Sequence, residues 1–201
     1  PSHFPRALDD FELARQCDTC GLAGAMIKSH YEPTAARAEL ANRHSGAHAR
    51  LVGGVALNWP VGGINPFAVE STLKLGGRIV WMPTRDSENC LRFGNMNGDF
   101  FSRPPVQIHG EDGKLLPTFF EVLEVVKKYD AWLATGHLSP AESVEVCKAA
   151  RQAGVNTILT HPDWVRTVVP LEVQLELADL GVIVEKVWLN ITKGYVTADA
   201  M

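Results

Sequence analysis

Apolar positions along this chain change spacing repeatedly, from a helical period of about 3.6 residues to short continuous runs and back, with Gly, Pro or a capping residue at each change. The spacing predicts a helix over 8–20 that stops at Gly21, then a short buried strand over 22–28. Glu32-Pro33-Thr34 opens a second helix that runs to His44-Ser45-Gly46, and 51–57 is the next strand. Asn65 caps a helix with Pro66 in its first turn, which ends near Gly76-Gly77 before a strand over 78–82. Later the order resumes as helix 118–129, strand 131–135, helix 140–153, strand 156–159, helix 171–180 and strand 182–188. Ser139-x-x-Glu142 with Pro140 is a capping box, and Gly154 ends the helix it starts.

Between these two series, residues 85–117 are rich in Asn, Gly and Pro and lack helical periodicity, too long a stretch for a plain connection. Segments 106–109 and 114–116, around Glu111-Asp112-Gly113, read as a hairpin, so the stretch is expected to be an excursion over one face of a single domain spanning 1–201. Six strands separated by helices imply an α/β fold with a parallel sheet and right-handed crossovers. Polar residues stand at or just past the carboxyl end of nearly every strand: Lys28 and His30, Asn58, Thr84, His137, His161, and Glu185 within the last one. A (β/α) barrel of the TIM type gathers such ends into one ring, whereas an open doubly wound sheet spreads them in a line. The pattern therefore favours the barrel, and there is no Gly-x-Gly-x-x-Gly after any strand to favour a dinucleotide fold.

Composition narrows the partners. With 201 residues and 46% hydrophobic side chains, the chain can bury a proper core, though a closed eight-fold barrel usually takes roughly 250 residues. A net charge of −4 and a pI near 6.0, with Lys and Arg scattered singly, give no field for a polyanion, so nucleic acid is not an expected partner. No apolar run approaches the roughly 20 residues that cross a bilayer, and residues before the first helix lack a basic-then-apolar order; a cytoplasmic protein acting on a small molecule, with homo-oligomerisation open to it, is the expectation. Four cysteines are too few for a disulfide scaffold. Cys17 and Cys20 make a C-x-x-C with no second close pair, and so read as two positions one turn apart on a helix.

Gly136-His137 and Thr160-His161 put an imidazole at the same structural point of consecutive βα units. Neighbouring strands lie about 4.8 Å apart, so two such rings can converge on one ion at about 2.1 Å from each nitrogen. A lone His at a strand end is more often a hydrogen-bonded structural residue; two in register favour a metal. A catalytic ion usually has three or more protein ligands. Glu185 is the candidate for another, while Lys28 and His30 are candidates to line the site and handle substrate, or to satisfy a structural acid. His3, His44, His48 and His109 fall in loops or at a helix end, and the five tryptophans read mainly as packing, with Trp59 able to wall a pocket.

At these strand ends the chain resembles the amidohydrolase superfamily of metal-dependent hydrolases, in which strands five and six each deliver a metal-binding His. Thr135-Gly136-His137 and Thr160-His161-Pro162 carry that likeness, and Ile27-Lys28-Ser29-His30-Tyr31-Glu32-Pro33-Thr34, Val80-Trp81-Met82-Pro83-Thr84 and Ala134-Thr135-Gly136-His137-Leu138-Ser139 look closest to a poorly characterised amidohydrolase-like group. The resemblance implies an incomplete barrel in which strands two to seven are visible, with a hairpin-containing insertion after strand four. It places a His-x-His before Pro1 and the usual general-base Asp after Met201. It also implies a divalent ion, zinc or manganese, at His137 and His161; with Glu185 the further candidate ligand and Lys28 or His30 placed at the strand ends to act on the substrate, the expected reaction is hydrolysis of an amide, lactone or ester by metal-activated water. Strand four ends Met82-Pro83-Thr84, without the superfamily's bridging Lys or Glu, which points to a mononuclear site or a bridge of another kind. The alternatives are a Schiff-base lyase or aldolase using Lys28, and a barrel without catalysis.

Overall fold

The computed structural model describes residues 5–94, 102–199 and 201. His3 and part of the excursion thus lie outside the described residues. The elements are helix α1 (Asp10–Thr19), strand β1 (Gly24–Met26), α2 (Ala35–His44), β2 (Arg50–Val52), β3 (Gly54–Ala56), α3 (Pro66–Lys74) and β4 (Ile79–Trp81). They continue with α4 (Glu88–Arg92), α5 (Pro117–Lys128), β5 (Trp132–Ala134), α6 (Pro140–Gln152), β6 (Asn156–Leu159), α7 (Leu171–Asp179), β7 (Ile183–Val184) and α8 (Trp188–Thr192). β1 pairs with β2, and β3 through β7 form one five-stranded sheet; every pairing is parallel and follows chain order without a reversal.

Register explains why one face is covered. Val55, Val80 and Leu133 lie opposite one another, and with Leu57 and Met82 they pack under Val69 and Leu73 of α3, Phe119, Val122, Leu123 and Val126 of α5, and Val146 and Ala150 of α6. The α5 residues follow an i, i+3, i+4, i+7 spacing, and burying each contributes about 1.5–3 kcal/mol, against a few tenths for intrinsic propensity, so packing is what holds this helix. The alternate positions Ala56, Ile79, Trp81 and Ala134, with Trp132 and Ile158, cluster only with one another on the opposite face. A doubly wound sheet has helices on both faces. Here the helices of the core clusters share one.

The expected strand over 51–57 is interrupted at Gly53, which ends one ladder and starts the next. The reason is a close approach: a Cβ on Gly53 would lie 2.5 Å from the backbone nitrogen of Ala35 and 2.5 Å from the carbonyl carbon of Thr34. Thr34 bridges the break, its hydroxyl donating to Ile27 O (2.8 Å) and accepting from Gly54 N (2.9 Å). Arg78 N donates to Gly53 O at 2.9 Å, which joins the two ladders.

Other expectations need correction. The first strand is three residues rather than seven, and Leu22 is 55% exposed instead of buried. The last is reduced to Ile183–Val184, which among the described residues pairs with β6 alone, and its final bond is Glu185 N to Leu159 O; Trp188 begins α8 and is exposed. The excursion contains a helix, α4, which Ser87 caps by accepting from Cys90 N. Its hairpin is a single bridge between His109 and Leu115, closed by Gly110 N to Lys114 O. No closed barrel is seen: among the described residues β1 and β7 each pair along one edge. Among them, too, no helix is long and apolar enough to cross a membrane.

Gly53→Ala is expected to lose roughly 2 kcal/mol or more, since backbone on both sides of the added methyl must move. Urea melts of the two proteins measure it, and an unchanged midpoint would show that the approach of α2 to the sheet is loose.

Candidate functional site

Parallel strands in chain order put all their carboxyl ends on one side, and short polar side chains there take over from the ladder. Thr160 N donates to Thr135 Oγ1 (3.0 Å) while Gly136 N donates to Thr160 Oγ1 (3.0 Å), an exchange that sets the two following histidines side by side. Gly136 has φ +64°, and a Cβ there would meet Met82 O at 2.3 Å, so only glycine lets the chain turn over β4 toward His137. His137 is then pinned through its backbone: its N–H donates to Pro83 O (3.0 Å), and its carbonyl accepts from Ser87 Oγ (2.8 Å) and Asn89 Nδ2 (3.3 Å). His161 takes φ +27°, an uncommon conformation for a residue with a Cβ, held by Thr167 Oγ1 donating to its carbonyl (3.0 Å) and by Glu185 Oε2 accepting from its N–H (3.3 Å).

The ring centres of His137 and His161 are 5.2 Å apart, His30 stands 5.6 Å from His137, and Trp164 packs on both members of the pair at 4.9 and 5.2 Å. His30 shares a hydrogen bond with Thr84 Oγ1 (2.8 Å). Asn58 organises this side: its Nδ2 donates to His30 O (2.8 Å) and Thr84 Oγ1 (2.7 Å), and its Oδ1 accepts from Thr84 N (2.9 Å) and Asp86 N (3.2 Å). Lys28 places its Nζ 5.2 Å from the centre of the Trp81 ring. Its charge acts on His137 and His161, so it faces the same mouth.

Electrostatics follow from crowding. Burial pushes the His137 imidazole well below its usual range, and the charges of Lys28 and Arg85 and the neighbouring His161 and His30 push it further. His161 is lowered to about 4, first by burial and then by Lys28. Burial of its ammonium lowers Lys28 to about 8, with Glu185 opposing the shift and Arg85 adding to it. Both imidazoles are therefore neutral at pH 7 and keep a lone pair for a ligand. The Nδ1 of His137 is buried and makes no hydrogen bond. Two imidazoles on one tetrahedral ion have centres on the order of 5 Å apart, so the pair fits a metal ion. Among the described residues, however, no three of His, Cys, Asp and Glu gather closely enough to hold one, and Glu185 is engaged with the His161 backbone.

Of the residues singled out from sequence, Lys28, His30, His137 and His161 thus come together, and Glu185 flanks them. Trp59 lies at the excursion, its Nε1 donating to Pro104 O (2.7 Å), while Trp164, expected as packing, lines the pair. Cys17 is buried and Cys20 exposed, both as free thiols. Arg85 was not anticipated in the mouth. It directly follows Thr84, so its position past the end of β4 was the available signal. Asp86 and Arg103 form a buried ion pair that fixes the excursion beside it, with Asp86 also accepting from Trp59 N (2.7 Å).

A one-sided parallel α/β sheet with imidazoles and an amine gathered beyond its carboxyl ends is the class that this geometry defines. The chain belongs to a family of unknown function (DUF6282), matched over residues 1–185, a span that takes in every residue of the mouth. A search of curated proteins returns no match.

Two stability effects are expected. His161 has a folded pKa near 4 against 6.5 unfolded, so the unfolded chain binds more protons in between and stability falls as pH drops from 6.5 toward 4, by roughly 1–3 kcal/mol. His161→Asn should flatten that part of a urea-midpoint profile, and an unaltered slope would assign the acid lability elsewhere. Lys28 has a folded pKa near 8 against 10.5, so its charged form burdens the folded state at neutral pH and is relieved only as pH rises above 8. Lys28→Met should raise the melting temperature at pH 7, and a drop would mean that the ammonium has stabilising partners.

Proposed function

We propose that this protein is a metal-dependent hydrolase of the amidohydrolase kind, built on a (β/α) barrel and acting on an amide, lactone or ester of a small molecule. The observation that carries the reading is the pair His137 and His161, two neutral imidazoles side by side at the ends of adjacent parallel strands β5 and β6. Strands in chain order with the core helices on one face support the barrel. His137 and His161 would hold the ion, with Glu185 the nearest carboxylate on the neighbouring strand. A bound divalent ion such as zinc or manganese lowers the pKa of water toward about 7 and polarises a substrate carbonyl. Lys28 and His30 bind and orient the substrate from the β1 side, and Trp164 shields the imidazoles from bulk water.

The test is calorimetric titration of zinc and of manganese into the full chain, with melting curves alongside. Wild type is expected to bind one of them and to gain about 2.7 kcal/mol at a hundredfold excess over Kd, while His137→Ala and His161→Ala lose the effect. Binding equal in all three proteins, or absent from wild type, overturns the proposal. The depressed pKa of Lys28 favours a second reading, a Schiff-base lyase. Borohydride trapping of a carbonyl compound on Lys28, undiminished by chelators, would establish that reading in place of the first.

A further inference from the structure

Arg166 follows closely on Trp164, the ring that packs on His137 and His161, and only part of its guanidinium is used by the fold. Its Nη1 ties down the end of α4, donating to Cys90 O (2.9 Å) and Gly94 O (3.3 Å) and lying 3.7 Å from Cys90 Sγ. The clasp is reciprocal, since Asn89 Nδ2 donates to Arg166 O (2.7 Å). Two rings flank the group: the centre of Phe93 is 5.4 Å from Cζ, and that of Trp164 is 5.5 Å away. What remains is the edge that carries Nε and Nη2. Among the described residues neither atom donates to an acceptor and no carboxylate comes within salt-bridge distance of Arg166, yet neither atom is sealed from solvent. The acids carried by the same segments are engaged elsewhere, Glu88 with Arg92 (3.5 Å) and Asp163 with Lys186 (2.9 Å).

We infer that the Nε and Nη2 edge of Arg166 binds an oxyanion of the substrate, a carboxylate or a phosphate, and so selects for molecules that carry a negative group away from the bond that reacts. The inference rests on the imidazole pair being the reaction site, and adds the residue that reads the far end of the substrate. Trp164 connects the two places: its ring centre is 4.9 Å from that of His137 and 5.2 Å from that of His161, so a small molecule lying against the indole can touch the pair and the guanidinium together. Two parallel N–H groups on one planar edge match two oxygens of an oxyanion, and such charge-assisted bonds are about twice as strong as neutral ones. The flanking rings and the bonds of Nη1 hold the plane in place before the ligand arrives, which leaves less ordering to be done on binding. Half-exposed Phe93 offers an apolar flank to the body of the ligand.

The experiment titrates inorganic phosphate and, separately, benzoate into the full chain at low ionic strength with a chelator present, so that any bound anion is held by the chain's own groups. At least one of the two is expected to bind, and the tighter one separates phosphate from carboxylate as the source. Arg166→Met should weaken binding at least about tenfold. Arg166→Lys, which keeps the charge and loses the fork, should fall between that variant and wild type. Arg43→Met, at an exposed position in the last turn of α2, should leave binding unchanged. Wild-type protein supplies a readout that needs no variant to fold: in phenylglyoxal footprinting the bound anion should slow modification of Arg166 but not of Arg43. Failure of both anions to bind, full affinity in either Arg166 variant, or a bound anion that leaves Arg166 as reactive as before overturns the inference. Because no metal is present in these arms, that failure is distinct from failure of the hydrolase reading, which the zinc and manganese titrations decide alone.

Discussion

Where a parallel ladder ends, its last amides and carbonyls must find partners other than the next strand, and every feature of this mouth depends on how that is done. Short side chains do it. Thr135 and Thr160 exchange bonds with each other's strand ends, Thr34 spans the break at Gly53, and Asn58 uses both ends of its amide across β3 and β4. Each is buried, so each bond is made away from competing water and leaving one partner unmade would cost about 1–3 kcal/mol. Rigid strand ends in turn fix the rings of His137 and His161 to within one separation, which no flexible loop would achieve.

The same enclosure sets the chemistry. Excluding water from His137 and His161 keeps them neutral and holds them as lone-pair donors. It also makes Lys28 easier to deprotonate. Enclosing His137, His161 and Lys28 in one small volume works against folding, because burial disfavours their charged forms. The packing of α3, α5 and α6 on the opposite face supplies the stabilisation that offsets this.

Long amphipathic segments were the most legible part of the fold, because α5 and α6 repeat their apolar positions over three turns and carry a Pro or a capping box at the start. The type and order of the strands were also legible, since a parallel sheet buried among helices is written as short apolar runs. Strand lengths were not: the ladders hold two to four residues per strand, shorter than the apolar runs that contain them, because the strand ends turn to side-chain partners such as Thr135 and Thr160. Helix α4 was hidden for a similar reason: five residues are too few to show a period, although Ser87 before Glu88 was a cap in plain view. In the site, His137 and His161 stood out by occupying the same point of successive units. Arg85 and Trp164 enter through loops whose path is set by tertiary bonds such as Asn89 Nδ2 to Arg166 O (2.7 Å), and spacing alone does not place them.

Gly53 divides more than a strand. On one side of it, Ala14, Ile27, Ala38, Ala41 and Leu51 form a small cluster of their own; on the other lies the main core. Thr34 bridges the two at the break, and Asn58 and Thr84 tie His30 of the smaller unit to the ends of β3 and β4. Lys28 and His30 ride on that unit, while His137 and His161 belong to the larger one. A local opening of that smaller unit would part Lys28 and His30 from the imidazole pair while the pair itself stays intact.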